Sequence, residues 1–328
     1  MELQDIKKIA VIGGGTMGPG IAQTFAQHQY LVRLCDQREP ALQKARVVIR
    51  TNLKTLAAHQ LVEPAAIETI ESRITFTTSL EEAAAQADLV VECISEDRDA
   101  KRTLFQRLGE ICAPATIFAS NTSYLNIFEL VPEERLPRAL IAHWFAPPHI
   151  LPLVEVIREA TTSDQSVRVV VELLKQIGKV PVVMAGYVPG FAINRILRII
   201  GREVFFLLDN GYITAEQLDL AVKASIAPRM MLLGVVQRYD FTGLDLSAKN
   251  LQNEQFLEPP IDNRPKSLFD LVEQGHLGVK TGRGFFDYQG RSLEEILRER
   301  DDHLLKILKC ADFCLKSGPC QSTEPPEE

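Results

Sequence analysis

The first half of the chain alternates short apolar runs with longer stretches in which apolar residues recur at helical spacing. This alternation is typical of β-α-β units and predicts a parallel sheet with helices between its strands. The predicted strands cover residues 8–12, 30–35, 73–77, 89–93, 116–119, 139–143, 154–157 and 180–184, with a helix at about 163–177 before the last of them. The pattern therefore predicts an α/β domain over residues 1–186.

The second half of the chain has a different pattern. Tyr187-Val188-Pro189-Gly190 interrupts regular structure, because proline and glycine together disfavour its continuation. Beyond it, apolar residues recur at helical spacing over about 191–210, 230–239, 266–274 and 293–315, and Thr214 is placed to cap a further helix. We therefore expect an all-α domain over residues 187–316. Residues 317–328, with Pro325-Pro326 and terminal glutamates, are expected to be a disordered tail.

Composition excludes several classes of protein. The 328 residues are 46% hydrophobic and 24% charged, as in ordinary globular domains, and the net charge of -7 offers no general attraction to nucleic acid or an anionic membrane. No uncharged stretch is long enough to span a bilayer, and strand-like sequence begins too early for a signal peptide, so a cytoplasmic location is expected. The six scattered cysteines fit no zinc spacing and are expected to be reduced thiols, with no metal site.

A glycine-rich turn, Gly13-Gly14-Gly15-Thr16-Met17-Gly18, follows the first strand and opens the first helix. Gly13 permits the tight turn, Gly15 lets a pyrophosphate approach the backbone, and Gly18 lets helix and strand pack closely. The amide groups at the helix start then face the phosphates, which places Thr16 and Met17 at the cofactor as well. The motif in this context predicts a Rossmann-type dinucleotide site.

An acidic residue ends the second strand. Asp36 lies 18 residues after Gly18, where a carboxylate accepts hydrogen bonds from an adenosine ribose. This position favours NAD over NADP. Arg38, two residues later, is able to pair with a 2′-phosphate, so the sequence leaves NADP as an alternative.

His143 and Glu155 are polar residues in otherwise apolar strands. A carboxylate among aliphatic residues is costly to bury unless a partner compensates for it. If the two strands are neighbours, His143 is that partner. A histidine oriented by a carboxylate suits the general base that removes the proton of an alcohol during hydride transfer.

Several motifs in one order resemble the L-3-hydroxyacyl-CoA dehydrogenase family: residues 13–22, 88–97, 120–123, the His143 and Glu155 segments, 190–195 and 278–288. The resemblance covers about residues 8–288. It implies an NAD-dependent dehydrogenase in which His143 is the catalytic base and Glu155 holds and polarises it. It further implies that Ser123 and Asn194 surround the reacting oxygen, that Glu96, Lys101 and Asn121 border the cofactor, and that the protein is a homodimer.

The sequence departs from the family at two places. Ala146 replaces the usual asparagine three residues after the histidine, and the helical domain has Val235 where thioester-using members have proline. Arg229 instead resembles an arginine of relatives that act on free hydroxy acids, such as gulonate and carnitine dehydrogenases, and arginine suits bidentate carboxylate binding. Residues 147–153 also resemble those relatives and a dehydrogenase of pyridoxine breakdown. We therefore expect a free hydroxy acid as substrate. A hydroxyacyl-CoA thioester is the alternative, since Arg46, Arg50 and Lys54 form a cationic row on one predicted helix.

Two further alternatives remain open. One is the β-hydroxyacid dehydrogenase group, which relies on a lysine in its interdomain helix, but residues 194–202 contain no lysine. The other is a non-catalytic, crystallin-like NAD-binding protein on the same fold. The presence of both His143 and Glu155 disfavours it, whereas Ala146 is compatible with it.

Overall fold

The structure, a computed structural model, describes residues 1–256 and 258–316. It forms two compact units, of which the first ends at Ile196 and the second begins at Leu197. The sequence-based boundary at residue 186 falls between the last strand and the helix that follows it.

The first unit is built on one eight-stranded sheet with the strand order β3-β2-β1-β4-β5-β6-β7-β8. The strands are β1 Lys8–Ile12, β2 Leu31–Cys35, β3 Ile74–Thr77, β4 Leu89–Glu92, β5 Ile117–Ser120, β6 Ala139–Trp144, β7 Leu153–Ile157 and β8 Val180–Met184. The central strands are buried along nearly their whole length, because helices cover the sheet. The prediction of an α/β domain is confirmed.

One pair of strands departs from the expected parallel arrangement. β6 and β7 run antiparallel, whereas all other neighbours are parallel. Only residues 145–152 join them, and this connection is too short for the helical crossover that a parallel pair requires. The short connection makes the reversal a physical necessity.

The helices of the first unit follow the strands in sequence. They are α1 Gly18–Gln27, α2 Glu39–Ala58, α3 Ile67–Ser72, α4 Leu80–Ala84, α5 Arg98–Ile111, α6 Asp164–Gln176 and the start of α7 Ile193–Asp209. Side chains of Ser79, Asp97 and Ser163 accept hydrogen bonds from backbone amides in the first turns of α4, α5 and α6. Such caps fix where each helix begins relative to the sheet.

The second unit contains helices in its described residues. They are α8 Ala215–Ala221, α9 Ala227–Leu233, α10 Gln237–Thr242, α11 Leu244–Leu251, α12 Lys266–Glu273 and α13 Leu293–Lys316, with a π-helical turn at Val222–Ile226. Thr214 caps α8 as expected. The prediction of one helix over 230–239 is wrong, because the chain leaves α9 at Gly234, whose φ of 69° is left-handed, and starts again as α10.

Two further expectations concerned membrane-spanning helices and the C-terminal tail. Among the described helices, none is both long enough and apolar enough to cross a bilayer. The predicted disordered tail, 317–328, lies outside the described residues.

Candidate functional site

A cleft of about 1120 Å³ opens at the carboxyl ends of the central strands. In doubly wound sheets this edge is where nucleotides bind. Its lining includes many of the residues predicted for the cofactor: Gly13, Gly15, Thr16, Met17, Asp36, Glu96 and Asn121. Ser123, predicted to lie at the reacting oxygen, also lines the cleft. The cleft therefore brings together residues that are up to 110 positions apart in sequence, from Gly13 to Ser123.

The glycine turn leaves room for a dinucleotide. A Cβ on Gly13 would lie 2.5 Å from the carbonyl oxygen of Cys93, and one on Gly18 would lie 1.8 Å from the carbonyl oxygen of Gly13. Gly15, in contrast, has open space around its Cα, with nothing within 4 Å of a Cβ built there. The first and third glycines thus permit close packing, and the second leaves the approach that a pyrophosphate needs. These residues fit NAD.

Asp36 occupies the end of β2, at the side of the cleft where the adenosine ribose is expected. Its Oδ2 accepts a hydrogen bond from the amide of Gly14 at 2.9 Å, and its Oδ1 accepts one from the amide of Arg38 at 2.9 Å. The guanidinium of Arg38 lies 3.6 Å from Oδ1. Arg38, the residue that kept NADP as an alternative in the sequence analysis, is thus paired with this carboxylate.

His143 and Glu155 lie directly opposite each other on β6 and β7. His143 Nδ1 is 2.9 Å from Glu155 Oε2, and both side chains are buried. The other carboxylate oxygen, Oε1, accepts hydrogen bonds from the amides of Ala192 and Ile193 at 3.0 Å each. The first turn of α7 and the imidazole therefore hold the carboxylate from two sides.

The environment keeps Glu155 ionised. Burial alone would raise the pKa of its carboxyl group, but the hydrogen bonds from His143 and from the amides of Ile193 and Ala192 outweigh burial and lower that pKa below its usual value. An ionised carboxylate only accepts hydrogen bonds, so Nδ1 of His143 carries the hydrogen. Nε2 is then the ring nitrogen with a free lone pair, as a general base requires.

Aromatic rings flank the imidazole. The ring of Phe145 lies 4.5 Å from that of His143, and the ring of Phe191 approaches edge-on at 5.3 Å, both between centroids. Phe191 is fully buried and has a φ of 52°, which is unusual for a residue with a side chain. This conformation occurs directly before the two amides that bind Glu155, so backbone strain is stored at the site.

The loop after His143 is held from below by Lys179. Its Nζ donates hydrogen bonds to the carbonyl oxygens of Pro148 at 2.6 Å and Leu151 at 3.0 Å, and it lies 5.2 Å from the ring centre of Trp144. Burial lowers the pKa of Lys179 to about 8. Sequence reasoning did not identify this residue, because a lysine between a helix and a strand gives no signal that it is buried.

Glu96 organises the loop that carries Ser123. Its Oε1 accepts hydrogen bonds from Thr122 Oγ1 at 2.6 Å, from the amide of Ser123 at 2.8 Å and from the amide of Tyr124 at 3.1 Å. Burial acts to raise the pKa of Glu96, but the hydrogen bond from Thr122 and the charge of Lys101 more than offset it and lower the pKa. Glu96 is thus an ionised anchor at the cleft.

Asn121 connects this loop to the histidine strand, since its Oδ1 accepts a hydrogen bond from the amide of Trp144 at 2.8 Å. Asn194 lies in the first turn of α7, one residue after the Ile193 amide that binds Glu155. Lys101 differs from the other predicted cofactor residues. It is 1% exposed, lies outside the lining of the cleft, and contacts Glu92.

Glu92 itself was missed in the sequence, although the signal was present. It ends the apolar run Leu89-Val90-Val91 in the same way that Glu155 interrupts an apolar strand. The reasoning that identified Glu155 as a carboxylate in need of a partner applies equally to Glu92.

The arginines expected to bind the carboxyl or phosphate groups of a substrate have partners within the chain. Arg229, in the second unit, is exposed and donates to the carbonyl oxygen of Ser225 at 3.1 Å and to its Oγ at 2.8 Å. In the cationic row of α2, Arg50 forms two hydrogen bonds with Glu71, and Arg46 lies 3.8 Å from the ring centre of Phe76. Both arginines of that row therefore have partners within the chain. Within the described ranges, no three histidine, cysteine or acidic side chains form a group able to hold a metal ion.

Comparison with protein families supports the same interpretation. Residues 8–187 match the NAD-binding domain of 3-hydroxyacyl-CoA dehydrogenase, and residues 190–288 match the C-terminal domain of that enzyme.

Individual relatives fall on both sides of the substrate question. The chain is 32% identical to 5-formyl-3-hydroxy-2-methylpyridine 4-carboxylate 5-dehydrogenase of Mesorhizobium japonicum, over 92% of this chain and 97% of that one. It is 37% identical to the mitochondrial hydroxyacyl-coenzyme A dehydrogenase of Rattus norvegicus, over 87% and 92% of the two chains. A solved structure of the pyridine-carboxylate enzyme, described as an NAD+-dependent dismutase, superposes with a TM-score of 0.84 at 30% identity, covering 94% of this chain and 99% of the other.

Proposed function

The chain belongs to the 3-hydroxyacyl-CoA dehydrogenase family of NAD-dependent oxidoreductases, and from this premise we propose that His143 and Glu155 are its catalytic pair. The observation that carries the proposal is the 2.9 Å hydrogen bond between His143 Nδ1 and an ionised Glu155. It leaves Nε2 as the proton acceptor, on a strand whose Trp144 amide is bound by Asn121 of the cleft lining.

The proposed reaction oxidises a secondary alcohol to a carbonyl group by removing a hydride and a proton. The glycine turn and Asp36 would hold NAD, which would supply the acceptor for the hydride of the hydroxyl-bearing carbon. His143 Nε2 takes the hydroxyl proton, and Glu155 stabilises the resulting imidazolium without accepting that proton. Ser123 and Asn194 are proposed to hydrogen-bond the reacting oxygen, and in the reverse direction His143 returns the proton.

We propose a free carboxylate, rather than a CoA thioester, as the group next to the reacting carbon. Arg229 supports this choice, because a guanidinium matches a carboxylate with two parallel hydrogen bonds. A pyridine carboxylate appears in the name of the Mesorhizobium relative. The thioester remains the second candidate, because the rat hydroxyacyl-coenzyme A dehydrogenase has the higher identity of the two relatives.

The cationic row on α2 gives the thioester less support than the sequence suggested. Arg50 is already bound to Glu71 in a two-hydrogen-bond pair, and Arg46 already lies over Phe76. A coenzyme A phosphate would have to compete with these partners for the same guanidinium groups.

We further propose a homodimer in the cytoplasm. Support for the dimer comes from α7, whose apolar residues Leu197, Ile199 and Ile200 are 54%, 60% and 45% exposed in the single chain. A contiguous exposed apolar face of this kind is typical of a subunit contact. The half-buried residues 204–208 continue the same helix.

The test follows NADH absorbance with the wild type, His143→Ala and Arg229→Met, using acetoacetyl-CoA and a panel of free 3-hydroxy acids. We expect turnover of free acids, its loss in His143→Ala, and a rise in the KM for acids of roughly tenfold or more in Arg229→Met. Arg238→Met, which removes a half-buried arginine packed on Tyr239, is the matched control. Turnover of acetoacetyl-CoA alone would refute the free-acid substrate, and NADH binding without any turnover would favour the non-catalytic alternative.

A further inference from the structure

Glu92 is a fully buried carboxylate at the cleft end of β4. Its Oε2 accepts a hydrogen bond from Ser120 Oγ at 2.5 Å, and its Oε1 accepts one from the amide of Ile94 at 2.8 Å. The same Oε1 receives the ammonium group of Lys101 at 2.5 Å. Every contact of this carboxylate thus comes from the cleft ends of β4 and β5 or from α5.

Lys101 bridges two carboxylates of different depth. Its Nζ lies 2.5 Å from Glu92 and 3.4 Å from Oε2 of Glu96. Glu92 is inaccessible to solvent, whereas the side chain of Glu96 is 24% exposed at the cleft. The ammonium group therefore ties a carboxylate in the protein interior to one that faces the cofactor site.

The chain of contacts continues from Glu96 to the loop of Ser123. One oxygen of Glu96 is held by Lys101, and the other accepts the hydroxyl of Thr122 and the amides of Ser123 and Tyr124. A displacement of the ammonium group would release one side of Glu96. The loop would then lose its fixed anchor at the lining of the cleft.

Stability alone does not account for this arrangement. An ammonium and a carboxylate that leave water lose several kcal/mol of hydration each, and apolar side chains of similar volume often hold the same elements at least as firmly. Two such side chains at positions 92 and 101 would join β4 to α5. They would not fix Glu96.

We propose that Glu92 is a positioning residue for the NAD site, acting through Lys101 on Glu96 and through Glu96 on the Ser123 loop. The inference requires that the cleft binds NAD, but it does not depend on which substrate is used. It also gives Lys101 a role behind the cleft wall.

Three variants test the proposal: Glu92→Gln, Lys101→Met and the double variant Glu92→Gln/Lys101→Met. For each we would measure the Kd of NADH by fluorescence and the thermal midpoint of unfolding. Glu92→Gln keeps the volume and the acceptor for Ser120 but loses the charge that holds Lys101. Each single variant removes a charge-assisted hydrogen bond from the series of contacts that links Glu92, Lys101 and Glu96. We therefore expect the Kd of NADH to rise about tenfold in both.

The double variant separates positioning from folding. It removes both buried charges together, so its thermal midpoint should recover relative to Lys101→Met. Its Kd should nevertheless stay raised, because Glu96 still lacks its ammonium partner. Adding Glu96→Gln to Lys101→Met should raise the Kd no further than either change alone, because both substitutions interrupt the same series of contacts.

Phe105→Leu is the control for general destabilisation. Phe105 is fully buried on α5, the helix of Lys101, but it contacts the apolar core and lies outside the cleft lining. It should lower the thermal midpoint and leave the Kd within twofold of the wild type. A double variant that regains both stability and NADH affinity would overturn the proposal, and so would an unchanged Kd in Glu92→Gln and Lys101→Met. NADH binding is measured without substrate, so these outcomes are independent of the proposed reaction.

Discussion

Two amphipathic helices, α6 and α7, use their apolar faces differently. On α6, Val167, Val169, Val170, Leu173 and Leu174 are all buried beside the sheet. α7 is longer and contains seven leucine and isoleucine residues, yet none of its residues is buried. The first helix completes a core within one chain, whereas the second presents a face that the chain leaves open.

The same difference separates the two units. Nearly all buried apolar residues belong to the first unit, which also contains the cofactor cleft and the His143 and Glu155 pair. In the described residues of the second unit, the buried apolar side chains are Leu305 and Ala311. The proposed catalytic pair and a self-sufficient core thus lie in the same unit, and we infer that the second unit contributes substrate recognition and subunit contact. Four predictions test this division, beginning with the largest effect.

Glu155→Gln should reduce kcat by about 10³-fold or more and leave NADH binding intact. The amides of Ala192 and Ile193 require an oxygen, so the glutamine would turn its NH2 group towards His143. That arrangement forces the hydrogen onto Nε2 and removes the base, as in the tautomer effect known for hydrolase triads. Steady-state kinetics and NADH fluorescence provide the measurement. A kcat within tenfold of the wild type would show that turnover does not depend on the pairing of His143 with Glu155.

Ile200→Glu should weaken the proposed dimer by a hundredfold or more. If the exposed apolar face of α7 is buried against a second copy, a glutamate there becomes an unpaired buried charge, which costs about 3–5 kcal/mol. Sedimentation velocity across a concentration series would report the change. The control is Val47→Glu, at a residue that is 66% exposed on α2. An unchanged dimer in Ile200→Glu would leave the open face of α7 without the proposed partner.

Leu173→Ala and Leu197→Ala compare the two helices directly. Leu173 is fully buried on α6, so truncation should lower the free energy of unfolding by about 3 kcal/mol at any protein concentration. Leu197 is 54% exposed in the single chain, so its truncation should matter only where dimers form. Urea unfolding at low and high protein concentration distinguishes these cases. An equal and concentration-independent loss in both variants would contradict the division.

Lys179→Met should remove a pH dependence from the first unit. Burial lowers the pKa of Lys179 to about 8, so between this value and 10.5 the unfolded chain holds the proton more tightly than the folded one. Stability should therefore rise with pH in this window, by about 2 kcal/mol between pH 7.5 and 9.5. Urea unfolding at these two pH values should show a smaller rise in Lys179→Met. A rise of the same size in both proteins would assign it to other groups.

Much of the first unit was accessible from the sequence because its signals are local. A buried strand reads as an apolar run, and the glycine turn requires a particular backbone, so β1, β8 and the cofactor motif were found where the structure has them. The broken helix at Gly234 was missed because a single glycine is tolerated inside many helices.

Contacts between distant segments were harder to predict. Glu155 was recognised because the argument for a partner was applied to it, and the same argument was not applied to Glu92. The hold of α7 on Glu155 depends on two backbone amides, which leave no trace in the identity of Ala192 or Ile193. Sequence reasoning thus found the side chains of the proposed catalytic pair but not the main-chain groups that support it.

The antiparallel register of β6 and β7 has a consequence for the evolution of this chain. Side chains on a strand alternate between the two faces of the sheet, so a slip of one residue would put Val154 or Val156 opposite His143. Deleting or inserting a single residue in the loop 145–152 is a simple way to cause such a slip. Such a change would replace no functional residue, yet it would separate the histidine from its carboxylate. Selection for the His143–Glu155 pair therefore acts on the length of this loop as well as on the identity of His143.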